Sequence, residues 1–267
     1  MTPVAIRASA LGDFLDCPAR AEAKHLLHKR TPTSSSAFLG SAYHAATAAF
    51  DKSHLPGGTA VTADDAAGAA VDYIKERRAE VELEDDDNLQ QVEDIAIALH
   101  KRYCAEIAPT QQYVAVEVTC AKLEITDLGL ILTGTTDRVA RHGDGHGIRD
   151  LKTGKTAVNA QGEVATKGHA YQLGVYEMLA ETASGLPIDA PARIIGAQAG
   201  KTERGQRVAI SHDIVNARDT LIGDGDSPGV LQAVSHMIHS GTFVGNPRSM
   251  LCGPKFCPIY QTCRFRR

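Results

Sequence analysis

The chain has 267 residues, 43% of them hydrophobic, enough to bury a sizeable core as one large domain or as a domain with a helical extension. Its formal charge of −4 and pI near 6.3 exclude a polycation that grips nucleic acid by overall charge, and leave room only for a local basic groove. Residues 1–15 hold neither a basic start nor an apolar run long enough to span a membrane, so the expectation is a cytoplasmic protein with no membrane partner. In that setting the six cysteines point to metal binding or catalysis before disulfides.

Ser9 is placed to cap a helix that starts at Ala10, and Pro18 breaks or restarts it; a second helix runs to about His28. Residues 31–36 are polar and turn-like. Residues 37–51 have helical spacing, with Gly40 and His44 one turn apart, and the loop at 54–59 carries Pro56-Gly57-Gly58. Helices follow at about 63–82 and 88–107, with an acidic run at 80–87 that reads as a solvated loop or helix end. The texture then changes. Val114, Val116, Val118 and Cys120 alternate with Ala115, Glu117 and Thr119, the pattern of a half-buried strand. Residues 130–140 and 147–151 continue the sheet, and 168–183 return to helical spacing. Residues 192–199 and 206–210 read as strands around a polar hairpin. Ser211 is placed to cap one helix and Ser227-Pro228 to open another, and the last 27 residues, from Gly241, are loop-like and hold three cysteines. This order predicts an α/β (α+β) fold: a central mixed sheet flanked by helices, with an N-terminal helical insert.

The chemistry concentrates around one hairpin. Gly134-Thr-Thr-Asp137 is followed by a glycine-rich loop and then by Asp150-Leu-Lys152-Thr-Gly154. With Asp144-Gly145 as a two-residue loop, Gly143 pairs with His146, and counting outward sets Asp137 opposite Lys152. Cross-strand partners share a face, as do residues two apart, so Asp137, Asp150 and Lys152 converge. Two carboxylates and an ammonium at one spot suit a divalent cation and a phosphate oxygen, the requirements of metal-assisted phosphodiester hydrolysis. Taken alone the pattern is short, and strand-end acids with a surface lysine would match it as well.

A second cluster is Cys252-x₄-Cys257-x₅-Cys263, with Cys17 far away in sequence. Four thiolates suit either a [4Fe–4S] cluster or structural zinc, and this spacing does not separate them. Cys104 and Cys120 fit apolar core positions. Gly196-x₃-Gly200-Lys201-Thr202 imitates a phosphate-binding loop but has three residues between its glycines where four are needed, and strand-like residues follow where a helix should. It reads as a hairpin tip whose Lys201, Arg204 and Arg207 are placed to meet a phosphate backbone. No NTP-driven motor is expected. Arg264, Arg266 and Arg267 form a basic end.

The string from Gly134 through Asp137, Asp150, Lys152 and Gly154, followed by Gln172-x₃-Tyr176, resembles the RecB-like branch of the PD-(D/E)XK nucleases, which includes Cas4-type exonucleases. Gly40-x₃-His44 resembles the branch's early histidine helix, and Ser9, Phe14 and Cys17-Pro18 resemble its opening. The resemblance spans Ser9 to Cys263 and implies a restriction-endonuclease-like core in one domain: a helical portion at about 9–108, a catalytic sheet at about 112–222, and a C-terminal helix with the cysteine tail at about 226–267. It implies His44, Asp137 and Asp150 as ligands of Mg²⁺ or Mn²⁺, Lys152 as the catalytic lysine, and Gln172 and Tyr176 lining the site. Glu117 matches an acid often seen on the preceding strand. It also implies Cys17, Cys252, Cys257 and Cys263 holding an iron–sulfur cluster that pins the C-terminus to the first helix, although the x₄ spacing is longer than the common x₂. The function implied is a DNA exonuclease of recombination, repair or phage DNA metabolism. Its substrate would be single-stranded DNA or DNA ends, with a second copy or a recombination protein as possible company. The alternative is an iron–sulfur or zinc DNA-binding adaptor that does not cut.

Overall fold

The computed structural model describes residues 2–83, 88–223 and 226–266, so residues 84–87 of the acidic run and Arg267 of the basic end lie outside the described residues. In chain order the elements are β1 (Val4–Arg7), α1 (Leu11–Asp16), α2 (Pro18–Ala21), β2 (Thr33–Ser34), α3 (Ser35–Ser53), α4 (Ala63–Arg77), β3 (Val81–Glu82), α5 (Leu89–Arg102), β4 (Tyr113–Ile125), β5 (Leu130–His142), β6 (Gly145–Gly154), α6 (Ala170–Ser184), β7 (Arg193–Gln198), β8 (Arg207–Ile210) and α7 (Val230–Ser240). A six-stranded mixed sheet runs β1-β5-β6-β7-β8, with β4 also on β5. The expected α/β architecture is observed.

Helices cover both faces of this sheet, and each face has its own core. One packs Phe14, Leu132, Val139, Ile148, Leu173 and Ile194 with α1, α6 and α7; the other packs Phe38, Tyr43, Leu99, Leu151 and Ile195 with α3, α4 and α5. Local signals set the ends of the second group: Ser34 Oγ accepts the Ala37 N–H at α3, Thr62 and Asp65 form a capping box at α4, and Asn88 Oδ1 accepts the Gln91 N–H at α5.

The sheet has an opening on β5. Antiparallel β4 pairs along one edge of β5. On the other edge, parallel β1 pairs with residues 130–133 and antiparallel β6 with residues 138–142. Between them, among the described residues, 134–137 of that edge have no strand partner. Beyond the Arg138↔Arg149 pair β6 leaves β5 and continues on β7, from Arg149↔Arg193 to Gly154↔Gln198. Two strands that part in this way leave backbone groups facing a gap, and these must find other partners.

Several expectations are corrected. The hairpin loop is Gly143-Asp144, with His142 opposite Gly145; Gly143 takes φ 62, as a II′ turn requires of its first central residue. The whole ladder is therefore displaced by two residues, and Asp137 falls next to Asp150 in register, not Lys152. A shift of two keeps every side chain on its face. Ser9 lies in the 3₁₀ turn Ala8–Ala10 and caps nothing, because α1 starts after Ala10 without a side-chain cap. No helix follows Ser211 directly: its hydroxyl accepts the Ile194 N–H and donates to the His212 carbonyl, which ties the chain to β7. The helix expected to 82 ends at Arg77, and Val81–Glu82 pairs in parallel with Thr33–Ser34 in the segment read as a turn. Strand β1 carried no expectation and closes the opening's far side.

Candidate active site

Asp137 stands at the fork. Its Oδ2 accepts the Leu151 N–H at 2.8 Å, taking up a strand donor that β5 no longer satisfies through its backbone. Its Oδ1 lies 3.6 Å from His44 Nδ1 on α3. Burial works to raise the Asp137 pKa, and the neighbouring His44, Arg138 and Leu151 N–H outweigh it, holding the carboxyl below its usual range. Asp150, 1% exposed, is pushed the other way. Burial is the main cause and the charge of Asp137 adds to it; against the pull of Lys152 its pKa rises to about 6. Lys152 Nζ is 2.5 Å from Asp150 Oδ2, a close ion pair between a partly exposed lysine and a buried carboxylate.

Helix α6 forms a further wall. Gln172 Nε2 donates to Tyr176 Oη at 2.9 Å, the i,i+4 contact expected on one helix face. The Tyr176 hydroxyl is held well above its ordinary pKa by burial first, then by the charges of Asp150 and Asp137, which sets it beside both acids. Gly134 is what lets α6 lie so close: a Cβ there would come within 3.3 Å of the Tyr176 ring and 3.0 Å of Leu179.

Thus the structure brings His44, Asp137, Asp150, Lys152, Gln172 and Tyr176 together. Glu117 is on the same stretch of sheet, opposite the fork on β4, at φ 51, but its exposed carboxylate pairs with Lys52 of α3. Sequence reasoning missed His169, half-buried at the N-cap of α6, whose pKa burial and then the charge of Lys152 keep low; it is thus a neutral imidazole close to the lysine. It lies three residues before Gln172, a helical neighbour spacing that could have pointed to it. Also missed was the buried pair behind the site, Arg138 Nε to Asp51 Oδ2 at 2.6 Å. Asp51 follows His44 by seven residues on α3, two helical turns on the same face, and Arg138 adjoins Asp137.

The site fits a hard divalent cation. It offers two carboxylates at one spot against a single lysine, and both carry charge that burial penalises. Among the described residues no three His, Cys, Asp or Glu side chains form a ready-made ion-holding group. Protein ligands would thus be few, with water and a substrate phosphate completing the shell, as suits Mg²⁺.

The four cysteines of the second cluster also meet. Cys17, Cys252, Cys257 and Cys263 line one small cavity with Arg20 and Asn246. None is in a disulfide. The Asn246 N–H donates to Cys17 Sγ at 3.3 Å. Burial pushes the Cys257 thiol up, and proximity to Cys17 and Cys263 adds to this. Polar bonds fasten the same tail: Asn246 Nδ2 donates to the Asp16 carbonyl at 2.9 Å, and Ser249 Oγ to Asp16 Oδ2 at 2.6 Å. Cys120 is buried in the first core, and Cys104, half-buried beside His100, has its thiol pushed to about 12 by burial; both are packing residues. At the Gly200 turn, β7 and β8 form the hairpin expected in place of a phosphate-binding loop.

Among the described residues no helix is long and apolar enough to cross a membrane. A search of curated proteins found no match. The sequence profile of the PD-(D/E)XK nuclease superfamily, by contrast, matches residues 6–264 and so takes in the fork, the histidine helix and the cysteine tail. A mixed sheet flanked by helices, with two acids and a lysine where two strands part, agrees with that match: the chain belongs to the PD-(D/E)XK nuclease superfamily.

Proposed function

We propose that this nuclease is a DNA exonuclease of the RecB-like branch, dependent on Mg²⁺ or Mn²⁺ and fastened by an iron–sulfur cluster. The observation that carries the reading is the fork itself: Asp137, Asp150 and Lys152 meet where β5 and β6 part, with His44 on Asp137 and the Gln172–Tyr176 pair alongside. Asp137 and Asp150 would hold the cation, and His44 would join them once the ion draws its side chain in from Asp137. When bound, it supplies Lewis acidity at a phosphoryl oxygen and a more acidic water. Lys152 orients the attacking water or steadies the charge that develops on the phosphate. Leu151 N–H fixes the Asp137 carboxylate, and Gln172 fixes the Tyr176 hydroxyl at the site's wall. His169 stays neutral beside Lys152 and adds no competing positive charge.

For the cysteine centre, four free thiols around one cavity match the donor set of a [4Fe–4S] cluster. Four thiols are also the donor set of structural zinc, and the preference here for the cluster rests on the likeness of the Cys17, Cys252, Cys257 and Cys263 pattern to the RecB-like nucleases. Holding Cys17 to the tail, it would join the two ends of the domain.

The test is anaerobic purification, a visible spectrum, and digestion of end-labelled linear and circular DNA with Mg²⁺ or Mn²⁺. Brown protein that degrades linear but not circular DNA is expected. Asp150→Ala and Lys152→Ala should each lower the rate at least ~10²–10³-fold with the fold intact by circular dichroism. Wild-type rates in both variants would sink the mechanism, a cut circle would sink the exonuclease assignment, and colourless protein containing zinc would sink the cluster.

A further inference from the structure

Strand β1 ends at the near side of the opening on β5. Its last residue, Arg7, pairs with Thr133, and the open edge at 134–137 runs from there to Asp137. Thr133 is four residues from Asp137, about 13 Å at strand spacing. Ala8, the next residue after Arg7, lies against the same spot as the Tyr176 ring: a Cβ on Gly134 would come within 3.6 Å of the Ala8 Cβ and 3.3 Å of that ring. The charge of Arg7 is also felt at the Tyr176 hydroxyl. Burial first, then Asp150 and Asp137, raise the pKa of that hydroxyl, and Arg7 works against them. Arg7 thus stands on the rim of the catalytic fork.

The same arginine lines, with Thr133, a cleft of about 800 Å³. A further wall comes from the segment after α2, where His28, Lys29 and Arg30 are exposed. That segment is held although it is exposed. His28 takes φ 53, and the Lys29 N–H donates to the Ala23 carbonyl at 2.8 Å, the bond that closes a helical turn on a left-handed residue. Two acids line the cleft, and each has cations of its own. Asp13 takes Arg20 through Oδ1, and Lys24 and His25 through Oδ2; Glu80 takes Arg77 at 3.3 Å. Among the described residues Arg7, Lys29 and Arg30 have no ion-pair partner. Ser9, which caps no helix, lines the cleft as well. No Phe or Tyr among the described residues does so, and bases find no ring to stack on.

Cations without counter-ions, beside a site suited to phosphodiester hydrolysis and in a chain whose formal charge is −4, form a surface for successive phosphates. Resting on the nuclease reading above, we propose that this cleft carries the DNA strand next to the scissile phosphate, with Arg7 on the first phosphate outside the fork and Lys29 and Arg30 on the backbone farther along. Contacts to phosphates alone position a strand and do not read its sequence.

The experiment uses the full-length protein and fluorescein-labelled single-stranded oligodeoxynucleotides of two unrelated sequences. Anisotropy without metal gives affinity across a salt series, and initial cleavage rates with Mg²⁺ give KM and kcat. Arg7→Gln should weaken binding of both sequences roughly ten- to a hundredfold and lower the slope of log affinity against log salt by about 0.7. It should raise KM in proportion, with kcat close to wild type. Arg7→Lys keeps the charge and should restore the slope, which a merely structural role for Arg7 would not move at all. The double variant Lys29→Ala, Arg30→Ala should lower the slope by about 1.4. Unchanged affinity and slope in Arg7→Gln and in the double variant, with a wild type that cuts, would overturn the subsite and leave the nuclease standing. A loss confined to one of the two sequences would overturn the assignment to phosphates. A wild type that binds through these residues yet never cuts would overturn the nuclease reading and leave the subsite standing.

Discussion

Asp137 and Arg138 are neighbours on one strand, and each anchors a buried polar cluster, but the two clusters are built on opposite plans. Behind the site, Arg138 is 1% exposed and Asp51 2%. Arg138 donates through Nε to Asp51 at 2.6 Å and through Nη1 to the Asp137 carbonyl at 2.8 Å. Tyr103 Oη donates to the same Asp51 oxygen at 2.6 Å and shares a hydrogen bond with Tyr113. Of these groups only Arg138 Nη2 lacks a partner. In front, the two acids lie side by side, and Lys152, the ion partner of Asp150, is 25% exposed. The closed cluster balances its charge internally and ties α3 to β5, which sets His44 against Asp137. The open cluster sets two carboxylates against one partly exposed lysine. A group left short of partners in this way is one that can take a ligand.

The comparison breaks most sharply under single substitutions. Asp51→Ala strands a buried guanidinium and should cost about 3–5 kcal/mol of stability, read from urea denaturation. Asp150→Ala removes one of two buried like charges and should leave stability unchanged or raised while cleavage is lost. Equal destabilisation by the two variants would show that the front cluster is also a structural one. A smaller effect separates them by ligand. Mg²⁺ at a hundredfold excess over its Kd should stabilise the wild type by about 2.7 kcal/mol, seen as a rise in Tm, and should give Asp150→Ala no such gain. An equal rise in Asp150→Ala would place the ion elsewhere.

Much of the front cluster was legible because its logic is local. Parity along a strand survives a register error of two, so Asp137, Asp150 and Lys152 converge even though the turn sits at Gly143-Asp144 and Asp137 falls beside Asp150. The Asp-Gly signal named the hairpin but not its central pair, because Gly143 also tolerates positive φ. The back cluster was not legible: Asp51, Tyr103 and Arg138 are distant in sequence, and a lone acid in an alanine-rich helix carries no mark of burial. Strand β1 escaped because four residues, Val4–Arg7, are too few for a periodic pattern. Ser9 and Ser211 misled for a common reason. A serine before apolar residues signals a cap only if the backbone then turns helical, and Ser211 instead spends its hydroxyl bridging Ile194 and His212.

A third carboxylate sharpens the distinction between closed and open. Glu177 follows Tyr176 on α6, is 8% exposed, and has its pKa raised to about 7. Burial is the chief cause, and the charges of Asp219 and Glu181 add to it against Arg218. Arg218 lies 3.8 Å from Glu177 but only 2.8 Å from Glu181, which takes its hydrogen bond. Glu177 is thus buried without an adequate partner, yet it lies off the fork and carries no lysine. Because the folded pKa is above the unfolded value of about 4.5, the protonated acid favours the folded state at low pH, and that contribution is lost as pH rises from about 4.5 through about 7. Glu177→Gln should therefore leave stability little changed at pH 4.5 and raise it by about 2 kcal/mol above pH 7, measured by urea denaturation across that window, with the cleavage rate unaltered. A gain independent of pH would mean that shape and not charge governs the position. A loss of cleavage would mean that the open cluster extends along α6, and that Glu177 belongs to the chemistry rather than to the scaffold.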